Sequence, residues 1–124
     1  MKNKTTILYR PVNDKELDLI KKLDYRGFPP RLPEQPFFYP VMNEEYATQI
    51  TRDWNVRTYG VGFVTKFQVD TAYLEKFEIQ NVGGPIHNEL WVPANELEAF
   101  NKHIVGKIEV IREFRKQDDE KGNS

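Results

Sequence analysis

Two charged residues stand where a catalytic or ligand-binding group would be useful. Arg10 closes the run Ile7-Leu8-Tyr9, and Glu89 opens the run Leu90-Trp91-Val92 shortly after a Gly83-Gly84-Pro85 turn. A guanidinium at a strand end presents a planar fork of donors that matches a phosphate or a ribose; the plainer alternative is a strand-end arginine paired with a nearby acid. A carboxylate at the mouth of a sheet can hold a ribose hydroxyl or stabilise an oxocarbenium-like centre; its plainer alternative is an exposed edge-strand glutamate. Tyr39, Tyr46, Trp54, Tyr59 and Trp91 carry rings able to stack on nicotinamide or adenine, and the same rings can simply fill a core. Arg31-Leu32-Pro33-Glu34-Gln35-Pro36 is either an ordered loop over a pocket or a rigid connector, since prolines lower the entropy cost of holding such a loop. No phosphate-binding glycine loop, dinucleotide fingerprint, nucleophile-elbow serine or HExxH occurs. His87 and His103 are not at metal-ligand spacing and cysteine is absent, so no metal site is expected.

These residues must be positioned by short elements. Residues 6–9 predict a first strand stopped by Pro11. Asn13 predicts a helix cap, with Glu16 three residues on completing a capping box and Leu17, Ile20 and Leu23 forming the apolar face. Five prolines from Pro29 to Pro40 forbid a continuous helix, and Phe37-Phe38-Tyr39 fits a short strand among them. Asn43, followed by Glu44 and Glu45, predicts a second capped helix that carries Tyr46, Ala47, Ile50 and Trp54 on one face. Alternation over residues 59–70 gives the clearest strand. Asp70 caps a short helix through Leu74 and Phe77. Strands are expected at residues 79–82, 89–92 (ended by Pro93) and 108–111, with a helix over 94–103. The polar tail from Arg115 to Ser124 has no apolar residue to bury, so residues 1–114 form a single domain and 115–124 a disordered extension. Interleaved helices and short strands indicate an α+β fold.

With 124 residues, 39% of them hydrophobic, the chain can bury one ordinary core. Basic and acidic residues number 18 and 19 and are interspersed, which disfavours nucleic acid as a partner. No apolar run approaches a membrane span and no signal segment leads the chain, so neither a membrane nor secretion is expected and the cytoplasm is the expected location.

The stretches Leu8-Tyr9-Arg10-Pro11-Val12, Phe28-Pro29-Pro30-Arg31-Leu32-Pro33-Glu34-Gln35-Pro36, Tyr39-Pro40-Val41, Asn43-Glu44-Glu45-Tyr46-Ala47, Glu89-Leu90-Trp91-Val92-Pro93 and His103-Ile104-Val105-Gly106 resemble a family of small uncharacterised bacterial proteins that carries the label ADP-ribosylation/crystallin. The similarity runs from Leu8 to about Phe114. The order of elements also resembles the ADP-ribosyltransferase fold, a split β-sheet core with flanking short helices. That resemblance implies NAD as substrate, Arg10 and an aromatic (Tyr39, or else Tyr46) as NAD-contacting residues, and Glu89 as the catalytic carboxylate. Two positions depart from the pattern: His87 stands where protein-modifying transferases often have Gln or Glu, and Phe38-Tyr39-Pro40 replaces a Ser-Thr-Ser signature. The resemblance implies ADP-ribosyl transfer to an unknown acceptor, or NAD glycohydrolysis. Non-catalytic binding of a nucleotide or ADP-ribose-like small molecule is the first alternative, and a protein-interaction domain the second.

Overall fold

The computed structural model describes residues 4–116. Its strands are β1 (Thr5–Val12), β2 (Phe37–Phe38), β3 (Val61–Asp70), β4 (Glu78–Asn81), β5 (Asn88–Pro93) and β6 (Ile104–Arg115). Its helices are α1 (Asp14–Lys22), α2 (Glu44–Ile50), α3 (Val56–Tyr59), α4 (Thr71–Leu74) and α5 (Leu97–Lys102), with a π turn at Thr51–Asn55 and a 3₁₀ turn at Ala94–Glu96. The fold is mixed α+β, built on two three-stranded antiparallel sheets ordered β1-β3-β6 and β2-β5-β4.

Val41 joins the two sheets. Its N–H donates to the Tyr9 carbonyl at 2.8 Å and its carbonyl accepts from the Tyr9 N–H at 2.9 Å; on the other side the Leu90 N–H donates to the Pro40 carbonyl at 2.8 Å and the Met42 N–H to the Asn88 carbonyl at 3.1 Å. Directly opposed residues in antiparallel strands point to the same face, and successive residues alternate. Tyr9, Val41 and Glu89 therefore share one face of the joined sheet, and Leu8, Arg10 and Val12 point to the other. Each face covers its own core. The larger contains Leu8, Val12, Leu17, Ile20, Phe28, Phe38, Phe67 and Phe100; the smaller is Val41, Ala47 and Val64, flanked by Tyr9, Tyr46 and Ile50. With a core on either side, β3 is buried on both faces from Val61 to Thr65, and beyond Thr65 the positions opposite the larger core, Lys66 and Gln68, are polar and less buried.

Several boundaries differ from the sequence expectation for local reasons. β1 runs through Pro11, which pairs with Val64. Tyr9 aims its backbone groups at Val41, so Pro11, two residues on, aims its missing N–H to the same side and away from β3, where it costs the ladder nothing. β6 begins at Ile104 and passes through Gly106, whose φ of 78° lies beside a register shift against β3. Arg115, assigned by sequence to the tail, ends β6 opposite Val61, and Lys116 N–H bonds the Gly60 carbonyl. The rest of the expected tail, 117–124, lies outside the described residues. Asn13 and Asn43 cap α1 and α2 as their positions predict, accepting from the N–H groups of Glu16 and Tyr46. Leu23 is not on the buried face of α1; it follows the last turn and is 44% exposed.

The π turn after α2 corrects the expected apolar face. In a regular helix Trp54 would follow Ile50 at i+4, but the wider turn adds a residue and shifts the phase. Asn55 takes the inward position, 6% exposed, and Trp54 turns out, 62% exposed. Gly62 on β3 allows this close approach: a Cβ there would stand 2.7 Å from Thr51 Cγ2 and 2.8 Å from Asn55 Cβ. Among the described residues no helix is long and apolar enough to cross a membrane.

Candidate functional site

Glu89 and Tyr46 meet on the face that carries α2. The Tyr46 hydroxyl donates to one Glu89 carboxylate oxygen at 2.7 Å, and the Trp91 indole Nε1 donates to the other at 3.2 Å. Burial, then the bond to Glu89 and the charge of that carboxylate, push the Tyr46 phenol well above its ordinary range. Tyr46 is thus a fixed hydrogen-bond donor at neutral pH. The His87 ring tilts against Tyr46 with centroids 4.7 Å apart, and its Nε2 lies 3.4 Å from Gln49 Oε1. Tyr39 stands on the same face, edge-on to Trp91 with centroids 5.6 Å apart. Its side chain follows from register: Phe37 and Tyr39 alternate with Phe38 and Pro40, which point to the larger core.

Arg10 lies on the opposite face. Its Nε and Nη2 donate to the two Glu16 carboxylate oxygens at 2.6 and 3.0 Å, and its guanidinium carbon sits 4.7 Å from the centroid of the Phe38 ring. The pair is mostly buried, with side-chain exposures of 11% and 19%. Glu16 therefore spends its carboxylate on Arg10 rather than closing the expected capping box. The bidentate geometry orients the guanidinium and removes half its charge-bearing edge from other use.

A cleft of about 190 Å³ opens beside this pair, past the end of the Val41 segment. Arg10, Glu16, Arg31, Gln35, Asn55 and Trp54 line it, with Tyr59 at its edge. Arg31 is half-buried; its Nε donates to the Phe37 carbonyl at 3.0 Å, and among the described residues it forms no ion pair. Burial, then the proximity of Arg10, pull the Arg31 pKa down from its ordinary value, opposed by Glu16 and Tyr39. Two guanidinium groups against one carboxylate leave the cleft with a net positive charge, and a bound anion would relieve that repulsion. Trp54 and Tyr59, both exposed, add rings to its lining.

The fold thus brings Tyr46 and Glu89 together, with Tyr39 beside Trp91, and puts the sheet between Glu89 and Arg10, while Tyr39 stays near enough to Arg31 to act on its charge. Arg31, Gln35, Trp54, Asn55 and Tyr59 surround Arg10 instead. The proline-rich loop and the aromatic residues were visible signals for four of these. Asn55 was not, because its inward position comes from the π turn. Among the described residues no three side chains form a metal-binding group. No protein-family model matches the chain, and no curated protein matches it significantly.

Proposed function

We propose that the chain is a ligand-binding module that takes a nucleotide-type anion in the cleft beside Arg10 without cleaving it. The observation that carries this is the pairing of Arg10 and Arg31 around a single acid, with Gln35 and Asn55 as further donors and two exposed rings alongside. A phosphate or pyrophosphate would lie against the free edge of Arg31 and the remaining donors of Arg10, as guanidinium forks favour. Adenine or nicotinamide would stack on Trp54 or Tyr59. NAD and ADP-ribose are the natural compounds to test, given the resemblance of the chain to the ADP-ribosylation/crystallin family. The ADP-ribosyltransferase-like split sheet is part of the same proposal, supported by two antiparallel sheets that meet at Val41 with short helices on their flanks.

ADP-ribosyl transfer or NAD glycohydrolysis needs Arg10 and Glu89 to serve one dinucleotide. Their separation by the sheet, and the use of both Glu89 oxygens by Tyr46 and Trp91, favour binding over turnover. The test is thermal unfolding with added NAD or ADP-ribose, alongside assay of free nicotinamide. Saturable stabilisation without nicotinamide release is expected. Release of nicotinamide that Glu89→Gln removes would overturn binding in favour of catalysis.

A further inference from the structure

The face of the β2-β5-β4 sheet that carries Trp91 gathers rings and carboxylates around a groove that shares no lining residue with the cleft beside Arg10. In register, Phe37 opposes Pro93 and Glu78 opposes Trp91, so Phe37, Trp91 and Glu78 rise from three neighbouring strands on one face. The Phe37 and Trp91 rings lie 5.5 Å apart, and Tyr39 adds a third ring 5.6 Å from Trp91. A groove of about 490 Å³ runs over them, walled by Phe77 and Pro93. Rings massed on an open sheet face are a stacking platform.

The charges beside the rings decide what stacks there. Glu78 and Glu89 both stand on this face, and among the described residues neither forms an ion pair. Glu78 receives the amide of Gln80, and Glu89 the neutral donors of Tyr46 and Trp91. The far wall of the same groove shows the arrangement completed by the protein's own cation: the Lys76 ammonium is 3.3 Å from Glu96, 5.4 Å from the Tyr73 ring centroid and 5.7 Å from that of Phe77. Among the described residues no cation lies over the Phe37 or Trp91 ring, although Lys76, held by Glu96, lines the same groove. A nucleic acid, whose bases would suit the rings, is repelled by the two carboxylates. β4 supplies the last feature, since among the described residues it pairs with β5 alone, on one side, and its other edge can take an extended chain.

We propose that this face docks a basic, extended peptide segment of another protein, which lies along the free edge of β4 and sets an arginine or lysine side chain over Trp91 and Phe37 against Glu78. Cation–π attraction and the unpaired carboxylates would supply specificity, and the strand edge would supply register.

Trp91 reports on its own occupancy once the second indole is removed with Trp54→Phe. The probe is a blocked heptapeptide of alternating arginine and valine, compared with the same peptide carrying glutamate for arginine. The arginine peptide should change Trp91 fluorescence saturably, and Glu78→Lys, a change at an exposed position, should weaken it about tenfold. Trp91→Leu, followed by calorimetry instead of fluorescence, should weaken binding similarly. Equal binding of both peptides, or an affinity indifferent to Glu78→Lys in a folded protein, would overturn the proposal. So would a concentration-dependent dimer that Glu78→Lys dissolves, since the occupant would then be a second copy, or tighter binding of oligouridine than of the arginine peptide.

Discussion

Arg10 and Glu89 stand on opposite faces of one row of strands: Tyr9 is opposite Val41, Val41 is opposite Glu89, and Arg10, one residue after Tyr9, points the other way. The backbones of β1 and of the Val41 segment lie between the guanidinium and the carboxylate. Each group has its own partners, Glu16 for Arg10 and Tyr46 with Trp91 for Glu89. The molecule therefore offers two chemically distinct surfaces, one positive and one acidic and aromatic, rather than a single cleft.

The Arg10–Glu16 pair is mostly buried, so removing one partner strands a charge in the core. Glu16→Gln should destabilise the protein by about 3 kcal/mol in chemical denaturation. Arg10→Met combined with Glu16→Leu should recover most of that loss, because a well-packed apolar pair replaces both charges. A double variant no more stable than the single one would show that the pair contributes more than charge neutralisation.

Gly62→Ala should destabilise the fold by about 1–3 kcal/mol, since the new Cβ overpacks the π turn. Its contacts would be 2.7 Å to Thr51 Cγ2, 2.8 Å to Asn55 Cβ and 3.2 Å to the Thr51 carbonyl, of which Thr51→Ser removes the first. Partial recovery in the double variant, measured by thermal unfolding, is the expected outcome. Because Asn55 lines the cleft, Gly62→Ala should also weaken any anion bound there.

Two of the six tyrosines should ionise late. Burial and the bond to Glu96 push the Tyr73 phenol up to about 12, and Tyr46 is raised by burial and Glu89. A phenol whose folded pKa is raised stabilises the fold fully below its unfolded value near 10, and that contribution is lost as pH rises towards the folded value. Stability should thus fall between about pH 10 and 12 from Tyr73, in a window that Tyr73→Phe narrows. A spectrophotometric titration in which all tyrosines ionise together near pH 10 would contradict these environments.

Arg31 carries no ion pair among the described residues, so its removal should cost stability only about 1 kcal/mol, through the lost bond to the Phe37 carbonyl, while weakening ligand binding. Arg31→Gln is expected to lower affinity for ADP-ribose about tenfold at low salt, with the difference shrinking as salt screens the cleft. Calorimetry in two salt concentrations measures both effects.

Local chemistry was legible in the sequence, and relative placement was not. The Asn13 and Asn43 caps and the proline-broken passage follow from neighbours a few residues apart and are found where their residues predict, and the strand expected over 59–70 forms from Val61, after Tyr59 ends α3. Pro11 and Gly106 misled because a proline at an open edge and a glycine in a bulge both look like strand ends until the partner strands are known. The π turn broke the helical phase at Trp54, and the residue that makes room for it, Gly62, lies on another element. The candidate site failed to assemble for the same reason. Whether Arg10 or Tyr9 faces Glu89 depends on a one-residue choice of register through Val41, and a shift by one residue exchanges every side chain between faces.

Trp54 and Trp91, the only two indoles in the chain, report on the two surfaces separately. A titration with ADP-ribose, followed by the indole N–H resonances in a two-dimensional nitrogen–proton NMR spectrum, asks which surface the ligand meets. Movement of the Trp54 resonance with Trp91 unmoved is predicted, since the indole of Trp91 stays bonded to Glu89. Movement of Trp91 with Trp54 unmoved would contradict an anion site beside Arg10 and return the ligand to Glu89.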